Sequence, residues 1–142
     1  MRHKNFGRVW LAVFIVTFVL ETVGHMLTRS SLQANGLVPW HLQMTSAAWA
    51  GPLVAAFAAS LAFTYIFLQG YTGRGAAEGI RFGLWATLLA GVPWVLGLAS
   101  GLPIGRRIPC EFVLIDLVTL VAAGITAATL AGKSAEAKSA AA

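Results

Sequence analysis

Four long apolar runs separated by short polar breaks organise the chain. They extend from about Val9 to Leu27, Ala47 to Leu68, Ile80 to Leu98 and Ile108 to Leu130. Each approaches the ~20 residues that an α-helix needs to cross a hydrocarbon core of ~30 Å. Turn-forming residues fill the breaks: Asn35-Gly36 with Pro39, then Gly70 to Gly75, then Gly101 to Gly105. The strands of a membrane barrel would instead alternate polar and apolar residues in segments of ~10. The pattern predicts an all-α, integral membrane four-helix bundle over residues 1–132, antiparallel and up-down. An Ala/Lys-rich tail, Lys133 to Ala142, follows it as a frayed or extended helix end.

Composition agrees. Of the 142 residues, 58% are hydrophobic and only 11% are charged, against about 25% in soluble domains; mean hydropathy is +0.76. A surface so poor in charge excludes a soluble globular enzyme, and the hydrophobicity excludes a disordered tail. The lone Cys110 rules out an internal disulfide and any cysteine-only zinc or iron–sulfur site. Net charge is +5, but the basic residues are scattered through the polar breaks, which suits orientation in a bilayer better than nucleic-acid binding.

Arg2, Lys4, Arg8, Arg74, Arg81, Lys133 and Lys138 fall on one side of the four runs; Arg29, Arg106 and Arg107 fall on the other. This bias places both termini in the cytoplasm, with Arg106-Arg107 as the dissenting feature. A signal peptide is not expected at the first run. It is long, no small-residue cleavage site follows it, and Glu21 interrupts its end. Neither end carries a lipidation signature.

Ionisable groups inside apolar runs are costly and therefore informative. Glu21, Glu111 and Asp116, three of the five acidic residues, lie in or at the edge of such runs. At a rise of ~1.5 Å per residue, Glu21 sits roughly 9 Å and His25 roughly 3 Å below the outer end of the first helix. Glu111 and Asp116 sit roughly 4–5 Å and 12 Å below the same face on the fourth. Thr17, Glu21, His25 and Thr28 share one helical face, and Asp116, Thr119, Ala123 and Thr126 form a second small, polar stripe. The two stripes are expected to face each other or a common cavity.

Several readings of this cluster stay open. It can be structural, with Glu21 or Asp116 hydrogen-bonding across helices and Arg106 or Arg107 pairing with Glu111. It can be a proton- or cation-handling site built from Glu21, His25, Asp116 and Glu111, in which Glu21, His25 and Asp116 would ligate a divalent cation. His25 could also ligate haem, although His3 and His41 lie outside the runs.

The break from Gly70 to Gly83 contains Gly70, Gly73 and Gly75, which permit a tight positive-φ turn. Glu78 falls in the first turn of the next helix, where it favours the dipole and is spaced to pair with Arg81. With no strand before it and no lysine–hydroxyl pair, the segment is not a nucleotide loop. It reads as a cytoplasmic turn, with Arg74 and Arg81 able to hold a phospholipid headgroup. Small residues recur at contact spacing: Ala47, Gly51, Ala55, Ala58, Ala59 and Ala62 on the second run, and Gly79, Gly83, Gly97 and Gly101 on the third. Pro93 should kink the third helix near Leu89. Trp10, Trp40, Trp49 and Trp94 mostly sit near run ends, as an aromatic belt requires, and Ser30–Thr45 reads as an interfacial stretch.

The Glu21-x-x-x-His25 step, the aromatic run Tyr65 to Phe67, the Gly-Tyr-x-Gly-Arg-Gly-x-x-Glu-Gly-Ile-Arg-Phe-Gly segment from Gly70 to Gly83, and Val92-Pro93 together form a recognisable set. In these features the chain resembles a widespread group of small, functionally unassigned bacterial four-helix inner-membrane proteins. The likeness covers the first three helices well and the fourth loosely. It implies a bundle in the bacterial inner membrane and no particular chemistry.

The expectation is a non-enzymatic accessory or scaffold subunit that packs with other membrane subunits or as a homo-oligomer in the lipid bilayer. The competing expectation is a small transporter or proton- or cation-linked protein. An intramembrane enzyme is not expected: Ser60 and Cys110 have no evident base, and His25 is the one intramembrane base.

Overall fold

The computed structural model describes residues 5–34, 50–101 and 107–139. The helices are α1 (Phe6–Ala34), α2 (Ala50–Gly70), α3 (Ala76–Ala86), α4 (Val92–Gly101) and α5 (Arg107–Ser139). A π-helical turn, Thr87–Gly91, joins α3 to α4, so that Ala76–Gly101 is one rod. Four helical units are therefore long and apolar enough to cross a membrane: Phe6–Ser31, Ala50–Gly70, Ala76–Gly101 and Arg107–Gly132. The all-α four-helix bundle is as the apolar pattern predicts, and the chain has the build of a multi-pass membrane protein.

Helix α1 is longer than its apolar run. Nothing before Asn35-Gly36 breaks it, so Ser30 to Ala34 continue the helix instead of starting an interfacial stretch. The remainder of that stretch, with Trp40, His41 and Met44, lies outside the described residues. The C-terminal tail continues α5 as helix to Ser139.

Helix α5 is the centre of the bundle, with α1 on one side and α3 on the other. Lipid supplies no hydrophobic drive for helix association, so close van der Waals packing must hold the seams. Along the α3–α5 seam, a Cβ added to Gly79 would collide with the Gly124 carbonyl, and one added to Gly83 would lie 2.5 Å from the Leu120 oxygen. Two of the small residues singled out in sequence thus bring two backbones into contact. On the α1–α5 seam, Val9 and Val13 bury against a cluster containing Ala123 and Ala127, and Gly24 faces Ile115.

Aromatic rings attach α2. Phe57 meets Trp10 edge-on at 4.8 Å, and Phe63 and Phe67 meet Phe82 of α3 at 4.9 and 5.3 Å. The Trp10 indole N–H donates to Ser60 Oγ at 3.2 Å, and the Tyr71 hydroxyl donates to the Ala128 carbonyl at 3.1 Å. Ser60, without a partner in the sequence reading, is therefore a packing residue. The small residues of α2 play a different part from Gly79 and Gly83: Gly51, Ala55, Ala58, Ala59 and Ala62 are exposed.

Candidate functional site

The α1–α5 seam carries the intramembrane acids. Positions Val9, Val13, Thr17, Gly24 and Thr28 are buried, and this spacing defines the face of α1 turned to α5. Glu21 lies beside that line and is half-buried; so is Asp116 on α5. Glu21 lies ~4 Å from the middle of the span Phe6–Ser31, and Asp116 ~5 Å from the middle of Arg107–Gly132. The two acids thus lie at matching depths on neighbouring helices, and the Asp116 carboxylate packs against Gly91.

The rest of the expected cluster separates. His25 is exposed, with its ring 5.5 Å from that of Phe112. Glu111 sits at the end of the seam, where its Oε1 accepts from Ser31 Oγ at 3.0 Å and pairs with Arg107 Nε at 2.7 Å. Its other oxygen, Oε2, is buried without a partner among the described residues. Glu111 therefore ties the ends of α1 and α5 together and is not part of the Glu21–Asp116 pair.

The metal expectation gains no support from this arrangement. Among the described residues, no three His, Cys, Asp or Glu side chains are grouped so as to hold a metal ion. The reason is helical geometry: with Gly24 packed on Ile115, His25 is rotated ~100° further around α1, away from the line of closest approach. Glu21, His25 and Asp116 are not assembled as a ligand set.

Sequence reasoning missed what lies behind Asp116. A Cβ added to Gly91 would sit 2.8 Å from Asp116 Oδ2 and 3.1 Å from its Cβ. Gly91 ends the π-helical turn, in which the Val92 N–H reaches back five residues to the Thr87 carbonyl. Pro93 cannot donate a backbone hydrogen bond to Leu89, and the widened turn just before it absorbs that loss. The Gly91–x–Pro93 spacing was the available signal; it pointed to a kink but not to the acid opposite. The hydroxyls are less engaged than the stripes suggested. Thr17, Thr28, Thr87 and Thr126 each donate to a carbonyl of their own helix. Thr119 and Thr64 are fully buried with no partner among the described residues.

At the other end of the bundle, Gly73 and Gly75 adopt φ of 91° and 68°, so the loop is a glycine turn as expected. Glu78 organises it. Oε1 accepts from the Thr72 N–H at 2.8 Å, and Oε2 accepts from the Arg74 N–H at 3.0 Å and Thr72 Oγ at 3.2 Å. The expected Glu78–Arg81 pair is not formed; the carboxylate turns back to the loop instead. Gly70 ends α2, and Arg74 and Arg81 are exposed.

No protein-family model, curated protein or solved structure matches the chain.

Proposed function

We propose that the chain is a small, non-enzymatic subunit of the bacterial cytoplasmic membrane that works packed against other membrane proteins or copies of itself. The observation that carries this reading is the incomplete cover of the seam. Glu21 and Asp116 lie near mid-span and are only half-buried, and His25 beside them is exposed. Ionisable groups at such depth face a bundle interior, a water-filled cavity or another protein, since facing lipid costs several kcal/mol. Four helices that each bury only 22–28% of their most apolar window do not enclose the pair, so a second chain is the natural cover. The resemblance to small bacterial inner-membrane bundles supports the location. Mild extraction from native membranes followed by native mass spectrometry tests the idea. Species heavier than one chain are expected, and a lone monomer at every detergent strength contradicts it.

A second reading rests on the Glu21–Asp116 pair itself. Two carboxyl groups at matching depth inside hydrocarbon can hold and pass a proton, and the π-helical turn at Gly91 gives Asp116 a neighbour of a kind often found at functional sites. Vesicles containing the protein and an internal pH dye would then leak protons in a manner lost in Glu21→Gln and Asp116→Asn. Identical traces for wild type, both variants and empty vesicles contradict it.

A further inference from the structure

A shallow groove of about 150 Å³ lies between the end of α2 and the start of α3. Its walls are Ile66, Phe67, Phe82 and Trp85, and Glu78 and Arg81 supply its polar lining. We infer that this groove binds one anionic phospholipid, the phosphate on Arg81 and the upper part of an acyl chain along the aromatic walls.

Charge decides the occupant. Arg81 lies five residues into the Ala76–Gly101 span, where a guanidinium needs a counter-charge or water. The only acid within one helical turn, Glu78, lines the same groove but accepts its hydrogen bonds from the Thr72 and Arg74 backbone N–H groups and the Thr72 hydroxyl, not from Arg81. Among the described residues Arg81 therefore makes no ion pair and stands exposed beside an apolar trough. A neutral lipid would leave that charge unanswered; a phosphodiester without a compensating headgroup cation answers it in the geometry guanidinium favours. Trp85, one turn further in and 59% exposed, lies ~5 Å from mid-span and offers its ring to the acyl chain below Arg81. Arg74, by contrast, does not line the groove. The site is independent of the Glu21–Asp116 seam and of the subunit proposal.

The test uses the full chain, purified and delipidated, and offered phosphatidylglycerol or phosphatidylcholine, with bound lipid counted by native mass spectrometry. Wild type should retain one phosphatidylglycerol in preference to phosphatidylcholine. Arg81→Gln should lower phosphatidylglycerol retention about fivefold, as expected for one surface charge, without changing phosphatidylcholine. Arg81→Lys should keep most of the preference, and Arg74→Gln should keep all of it. Equal retention of the two lipids by wild type, an unchanged preference in Arg81→Gln, or a loss in Arg74→Gln as large as in Arg81→Gln would each overturn the assignment. Unaltered helical circular dichroism in Arg81→Gln excludes loss of fold as the cause.

Discussion

At the residue scale, glycines and one glutamate set the tightest constraints. Gly83 has a backbone oxygen 2.5 Å from where its Cβ would be, whereas Gly97 has nothing within 4 Å. Gly83→Val should therefore lower stability by about 1–3 kcal/mol through overpacking, and Gly97→Ala should be neutral or stabilising, by up to about 1 kcal/mol. Thermal melts in a single detergent compare them. Near-equal melts would mean that α3 and α5 do not touch at Gly83. In the loop, Glu78→Ala removes three acceptor contacts, and amide exchange at Thr72 and Arg74 should quicken about tenfold. Unchanged exchange would mean that the glycine turn holds without its carboxylate. The small residues of α3 were legible in sequence because spacing marks a contact face. Glu78's true partners were not, because a carboxylate at helix position three has both a turn and an arginine within reach, and only the loop's fold decides between them.

At the element scale, the π-helical turn and α5 act together. A side chain at Gly91 would require the Asp116 carboxylate to shift. Gly91→Ala should cost about 1–3 kcal/mol, and Asp116→Ala should recover part of that loss by removing the carboxylate in the way. A double-mutant cycle on melting free energies should show a coupling of at least about 0.5 kcal/mol. Strict additivity would separate the turn from the acid. The four spans were readable from apolar run length alone, since lipid demands that every backbone group be satisfied within a helix. The matching depth of Glu21 and Asp116 followed from their positions on antiparallel helices. His25 and Glu111 could not be placed that way: depth fixes a level but not a rotation, and the rotation of α1 is set by Gly24 against Ile115. Where α1 runs past its apolar stretch, Ser31 donates to Glu111, a contact across 80 positions of sequence that no local pattern carries.

For the whole molecule, the charge bias in the sequence leads us to propose that both termini face the cytoplasm, and the single Cys110 offers a clean way to test it. The thiol is exposed near the start of α5. A membrane-impermeant maleimide should label it from the outer face of intact cells and not from the inner face of inverted vesicles. The opposite pattern would reverse the orientation while leaving the bundle intact. The larger question is what covers the half-buried acids on the α1–α5 seam. The most direct measurement is site-specific photo-crosslinking in native membranes, with a photoreactive phenylalanine analogue in place of His25, exposed beside Glu21, and a control at buried Val13. A covalent adduct to a second polypeptide from position 25, with none from position 13, is the result that cover by a second chain requires. Crosslinks from position 25 to lipid alone would contradict it.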